Sequence, residues 1–189
     1  MEHNNDEFSA LADMVLAPWI EKATDLRRFY RKVGGNQFRH SMATLAILID
    51  YHYISPVILK AGIIHDLLEE IPYTNIFELE NIDLDSAKVI PLALEVTRRG
   101  DESKTDFLQR IRTEGSREAK IIKCADRISN LTDLHIGIFD NDYVAGYLNQ
   151  TEQYIYPIAL EVDKDMAFEI NDLITRRREM LFLRQQTQH

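Results

Sequence analysis

Ile63-Ile64-His65-Asp66-Leu67-Leu68-Glu69-Glu70 is the stretch on which the fold turns. It breaks an apolar helical run with a His-Asp pair and then two acids. On a helix His65 and Glu69 stand four apart, as do Asp66 and Glu70, so one patch presents an imidazole and three carboxylates. Burying such groups uncompensated is costly, and a bound divalent cation is the compensation their chemistry suggests. Two further groups complete the set: His40, 25 residues before His65, and Asp126, 60 residues after Asp66. His40, His65, Asp66 and Asp126, drawn from three helices, make a first shell for Mn²⁺, Fe²⁺, Co²⁺ or Zn²⁺. A lone histidine is more often a packing residue than a ligand; the four-part pattern is what points to metal. Glu69 and Glu70 sit at a helix end where carboxylates oppose the dipole, so orienting and deprotonating a water is the role expected of them.

Outward from that stretch the chain reads as helices. Seven glycines, five prolines and no useful strand alternation predict an all-α protein. Helices are expected over Phe8 to Ile20, bent at Pro18, and over Asp25 to Lys32, stopped by Gly34-Gly35. Asn36 caps the helix carrying His40. Pro56 opens the central helix, whose core stripe is Val57, Ala61, Ile64 and Leu68, with Gly62 admitting a close neighbour and Pro72 as the stop. Short helices follow over Asn75 to Glu80, Asp85 to Thr97 (across Pro91) and Asp106 to Arg112. Ser116 caps a helix that turns Ile121, Ala125 and Ile128 inward and carries Asp126 and Asn130 along one edge. Tyr143 to Val162, interrupted near Pro157, and Asp165 to Leu183 close the bundle, and Arg184 to His189 is expected to fray. One domain spanning residues 1–189 is expected, with the metal-site core over about 31–133 and the closing helices over about 143–183.

Composition narrows the function class. With 45% apolar and 28% charged residues the chain has the balance of an ordinary globular protein. A net charge of −9 argues against non-specific nucleic-acid binding. Cys124 is the one cysteine, so no disulfide forms within the chain, and a cytoplasmic location follows as the expectation. The polar start is unlike a secretory signal, and no apolar run approaches a membrane span. Within this acidic chain Arg27, Arg28, Arg31, Lys32 and Arg39 gather just before His40; a solvated face and a phosphate-facing role are equally open for them. Asn130 can offer an amide to a sugar or base. His52 and His135 read as structural, Tyr154 and Tyr156 as packing residues. Homo-oligomerisation stays open.

Several segments, in order, resemble the HD superfamily of metal-dependent phosphohydrolases, and within it the hydrolase domain of the RelA/SpoT alarmone family and the small alarmone hydrolases. They are Arg31-Lys32-Val33-Gly34 through His40, His65 to Glu70, Val96-Thr97-Arg98, and Lys120 through Asp126-Arg127-Ile128-Ser129-Asn130-Leu131. The resemblance implies an all-α HD-type bundle and Mn²⁺ held by His40, His65, Asp66 and Asp126. It implies hydrolysis of the 3′-pyrophosphate of ppGpp or pppGpp to GDP or GTP and pyrophosphate, with Glu69 and Glu70 activating water. It also implies that Arg31, Lys32 and Asn130 hold the nucleotide. Glu70 stands where the family usually has Asp, Ile71 where it has Thr, and Asp133 where Thr or a basic residue is frequent. The chain stops where synthetase-containing relatives continue, so hydrolysis alone is expected. The rival readings are an HD nucleotidase or pyrophosphatase acting on another nucleotide, and a non-catalytic HD binding module.

Overall fold

A computed structural model describes residues 9–11 and 14–186. Phe8 and residues 187–189, on which two of the helix-end expectations fall, lie outside the described residues. Among those described there is no strand, only the isolated bridge between Tyr30 and Asn36. The helices are α1 (Ala17–Ala23), α2 (Gln37–Asp50), α3 (Pro56–Ile64), α4 (Leu67–Glu70), α5 (Ile76–Glu80), α6 (Ser86–Glu95), α7 (Lys104–Glu114), α8 (Arg117–Asp133), α9 (Asn141–Gln150), α10 (Tyr156–Val162) and α11 (Lys164–Gln186). The bundle is all-α, as expected. Among the described residues no helix is long and apolar enough to cross a membrane.

Local chemistry sets the helix starts. Asn36 and Ser116 accept the backbone N–H groups of Arg39 and Ala119 at 2.9 and 3.1 Å, and Asp140 accepts that of Tyr143 at 2.7 Å. These caps satisfy donors that a helix start leaves free. Proline occupies the opening turn of α1 and of α3, where its missing N–H costs nothing. Pro18 therefore starts a helix and does not bend one.

The centre of the bundle is α3 against α2, α6 and α1, with α2 packed along α8 and α11 closing over α8 and α10. Every residue of α3 from Ile58 to Ile64 is buried, so the expected stripe is a helix enclosed on all faces. Gly62 makes that enclosure possible, because a Cβ there would lie 2.6 Å from Leu48 Cδ1 on α2. Even Lys60 is only 5% exposed; its ammonium meets Asp83 and Asp85 at 2.8 and 2.6 Å, and Asp83 also accepts from the Trp19 indole at 2.8 Å.

Four expectations need correction. The segment Asp25 to Lys32 is a short 3₁₀ turn (Thr24–Arg28) followed by a loop. Gly34 and Gly35, at φ +85° and +70°, do not end a helix; they fold that loop back so that Arg31 N–H reaches Gly35 O at 3.2 Å and Gln37 N–H reaches Phe29 O at 2.9 Å. The central helix does not run on to Pro72 but breaks after Ile64, with His65 and Asp66 in the turn before α4. Arg184 continues α11 to Gln186. Near Pro157 the closing helix is interrupted by a π-helical turn over Thr151–Ile155. Pro157 offers no N–H to the carbonyl of Gln153, and Arg112 Nη1 donates to that carbonyl at 3.4 Å.

Candidate metal centre

The break in the central helix is what builds the site. A continuing helix would offer the carbonyl of Gly62 to the N–H of Asp66; here that carbonyl accepts from His65 Nδ1 at 2.7 Å. A carbonyl only accepts, so Nδ1 carries the proton and Nε2 keeps its lone pair. His65 is 2% exposed, and its Nε2 has no hydrogen-bond partner among the described residues. It looks onto the groups singled out by the sequence. Asp66 Oδ1 is 3.3 Å away and Asp126 Oδ1 4.0 Å. His40, from the first turn of α2, brings its Nε2 to 3.0 Å from Asp126 Oδ1 and 3.7 Å from Asp66 Oδ2.

The structure thus gathers His40, His65, Asp66 and Asp126, from α2, the α3–α4 turn and α8, around one point. One ligand atom from each of His40, His65 and Asp126 lies within 4.8 Å of the others, all three buried; Asp66 stands at the rim, 23% exposed in its side chain. Imidazole lone pairs and carboxylate oxygens facing one another, one of them buried and unclaimed, are chemistry that a divalent cation completes. These residues fit a metal ion.

The surrounding groups fix the ligands. His40 Nδ1 is 2.9 Å from Ser129 Oγ. Asp126 accepts from Lys123 Nζ and Asn130 Nδ2, each at 2.5 Å. Burial alone would raise the Asp126 carboxyl, yet the Lys123 ammonium beside it holds it well below the usual carboxylate range. Asn130 in turn accepts from Arg31 Nη2 at 2.7 Å, and Arg31 Nη1 lies 3.5 Å from Asp133. A chain of contacts therefore runs from Arg31 through Asn130 to Asp126.

The cluster opens into a cleft of about 310 Å³. Glu69 and Glu70 line it. Glu69 Oε2 accepts the Arg98 backbone N–H at 3.3 Å with Arg98 Nε 3.4 Å from Oε1, and Glu70 Oε1 accepts from Gln37 Nε2 at 3.0 Å. Lys104, Lys123 and Arg127 line the same cleft. Lys104 and Arg127 both cover the Tyr147 ring, at 4.9 and 4.3 Å. Burial, with Arg127 and Lys123 nearby, pushes the Lys104 ammonium down to about 8.

A second chamber of about 260 Å³ adjoins the cleft, walled by Tyr30, Phe139, Tyr143 and Tyr147. Phe139 and Tyr143 stack with centroids 4.5 Å apart. Lys32 belongs to this chamber, its ammonium 5.9 Å from the Phe139 ring centre, and does not line the metal cleft as Arg31 does. Arg31 and Asn130 line both spaces. Arg27, Arg28 and Arg39 line neither of them. Cys124 is fully buried, and burial holds its thiol well above the ordinary value. Lys120 turns to Glu161 at 2.7 Å, away from the cleft.

Sequence reasoning passed over Gln37, Lys104, Tyr143 and Tyr147. Gln37 lies three residues before His40, a proximity that could have drawn notice; the others carry no local signal.

No known protein-family profile matches this sequence, and no curated protein does. A solved structure does match: a metazoan ortholog of SpoT that hydrolyzes ppGpp and plays a role in starvation responses. It superposes with a TM-score of 0.75 at 20% sequence identity, covering 86% of this chain and 94% of that one. The two chains share one fold. It is an all-α bundle, and in this chain the His-Asp turn, Asp126 and His40 converge inside it.

Proposed function

We propose that this protein hydrolyses the 3′-pyrophosphate of ppGpp or pppGpp with a divalent metal ion, Mn²⁺ in first place, releasing pyrophosphate and GDP or GTP. The observation that carries the reading is the unclaimed Nε2 of buried His65, facing His40, Asp66 and Asp126 at the head of a cleft rimmed by cations. The shared fold with a ppGpp hydrolase supports the choice of substrate. A metal held by His40, His65, Asp66 and Asp126 supplies Lewis acidity and a more acidic water.

The residues of the chain do the rest. Phosphoryl transfer asks mainly for positioning and charge stabilisation. Glu69 takes a proton from the water as its oxygen bonds to phosphorus, the bond from phosphorus to O3′ breaks, and that proton returns to O3′. Glu70, oriented by Gln37, assists in holding the water. Arg31, with Asn130, faces the phosphates, while Lys104, Lys123 and Arg127 balance the charge of a substrate with two diphosphates. The aromatic chamber takes the base, with Lys32 over its wall.

A screen of the Mn²⁺-loaded protein against ppGpp, pppGpp, deoxynucleoside triphosphates and nucleoside monophosphates, with products identified, tests this. Release of pyrophosphate and GDP from ppGpp is expected, and Glu69→Gln is expected to keep the metal while losing about 10²–10⁴-fold in turnover. Turnover of a different nucleotide alone would assign the site to an HD nucleotidase. Metal binding with no turnover of any of them would leave a binding module.

A further inference from the structure

The charged cleft and the aromatic chamber meet along a seam, and Gln37 stands on it. Its Nε2 donates to Glu70 Oε1 at 3.0 Å. An ionised carboxylate only accepts, so this contact fixes which end of the amide is which. The other end, Oε1, is buried and has no hydrogen-bond partner among the described residues. A buried acceptor left without a donor is costly, and here it lies where the two spaces meet.

Among the described residues Gln37 Oε1 is the one buried polar side-chain atom of the seam without a partner. Arg31 can only donate. Asn130 uses both ends of its amide, accepting from Arg31 and donating to Asp126. Tyr143 and Tyr147 present rings stacked on Phe139 or covered by cations.

We propose that Gln37 Oε1 accepts a hydrogen bond from the 2′-hydroxyl of the substrate ribose and makes the site selective for ribonucleotides over 2′-deoxyribonucleotides. The inference rests on the proposed hydrolysis at a nucleotide 3′-phosphate. With the 3′-phosphorus at the metal cluster and the base in the aromatic chamber, the sugar must bridge the seam. A ribose phosphorylated at 3′ and 5′ has one O–H left, at 2′, next to the bond being cleaved. That donor meets the acceptor lacking one. The contact also ties occupancy to chemistry, because an amide held at both ends holds Glu70 in place. Gln37 is thus a substrate-reading residue at Oε1 and a positioning residue at Nε2.

The test compares kcat/KM for ribo and 2′-deoxyribo pairs of ppGpp and of adenosine 3′-monophosphate, using the Mn²⁺-loaded full chain and its variants. Wild type is expected to prefer the ribo member of any pair it hydrolyses by about ten- to hundredfold. Gln37→Met, similar in length but without an amide, is expected to shrink that ratio to below about threefold. Gln37→Glu keeps an acceptor and is expected to retain the preference while losing kcat, since its charge repels Glu70. Equal use of both sugars by wild type, or an undiminished preference in Gln37→Met, overturns the inference. A Gln37→Met protein that loses activity equally on ribo and deoxy substrates, with wild type showing no sugar preference, assigns Oε1 to a base N–H and overturns it too. Hydrolysis of the adenosine pair without the ppGpp pair refutes the alarmone substrate while still measuring the 2′-hydroxyl contact. Hydrolysis of neither pair overturns both.

Discussion

Ser129→Ala removes one oxygen from behind the His-Asp cluster. Ser129 is 4% exposed, and its hydroxyl lies 2.9 Å from His40 Nδ1. While it accepts Nδ1–H, His40 Nε2 directs a lone pair toward Asp66 and Asp126. Without it a buried N–H loses its partner, a penalty of about 1–3 kcal/mol. The imidazole can escape that penalty by moving its proton to Nε2, where Asp126 Oδ1 at 3.0 Å accepts it, and in that tautomer Nε2 cannot bind a metal. Loss of an outer partner of a ligating histidine typically weakens metal binding about 10–100-fold, equivalent to about 1.4–2.7 kcal/mol. The expected result is a rise of that size in the Mn²⁺ dissociation constant, read by calorimetry or from the paramagnetic resonance of free Mn²⁺. Ser129→Thr restores the hydroxyl and should recover most of it. Equal affinities in wild type and Ser129→Ala would refute the assignment of tautomer control to Ser129.

Other consequences follow from the same contacts. Arg31→Ala should lower kcat/KM on ppGpp by about one to three orders of magnitude and, because Arg31 also holds Asn130 against Asp126, should weaken Mn²⁺ binding measurably; Arg31→Lys should recover only part of the rate. Gly62→Ala sets a methyl against Leu48, itself fully buried, and should cost about 1–3 kcal/mol in a urea unfolding curve. Lys60→Met should lower stability at pH 7 by about 1–3 kcal/mol, a figure reduced for the partial exposure of Asp83 and Asp85. Its pH dependence has a definite sign. Burial opposes both charges, but pairing holds Asp83 below its ordinary value and Lys60 above its own. The stabilisation is therefore complete between about pH 4 and about pH 10.5, fades as pH falls through the lowered Asp83 value, and fades as pH rises through the raised Lys60 value. The gap between wild type and Lys60→Met should accordingly close in acid melts; a gap constant from neutral to strongly acid pH would count against the ion pair.

Much of this arrangement was legible in the chain because the signals were local or chemically extreme. Asn36, Ser116 and Pro56 mark helix starts that need only a neighbouring N–H or a missing one. His65-Asp66 inside an apolar run cannot be explained as core, which is why the metal hypothesis arises before any geometry. What stayed hidden depends on direction. Lys32 follows Arg31 in sequence, yet the turn at Gly34-Gly35 sends one side chain to the aromatic chamber and the other to the metal cleft. The break at His65 was illegible for a related reason: no residue from Val57 to Leu68 forbids a helix, and the turn depends on a side-chain nitrogen competing for a backbone carbonyl. Tyr147, Lys104 and Gln37 are ordinary residue types brought together across long spans of chain, and only packing makes them neighbours.

The π turn at Thr151–Ile155 has its own consequence. Such a turn is an α-helix carrying a surplus residue, and it sits between α9, which supplies Tyr143 and Tyr147, and α10, which buries Ile158 and Ala159. Each residue in a helix turns the chain by about 100°. Deleting any single residue from the turn would remove the surplus and swing α9 by about that angle relative to α10. Val144 and Leu148, now buried, would face solvent, and both tyrosines would leave the aromatic chamber. The aromatic wall is therefore specified by a count as much as by side-chain chemistry. Substitutions within the turn can be absorbed one at a time, whereas a frame-preserving loss of one codon there would dismantle the chamber while leaving every other residue of the site unchanged.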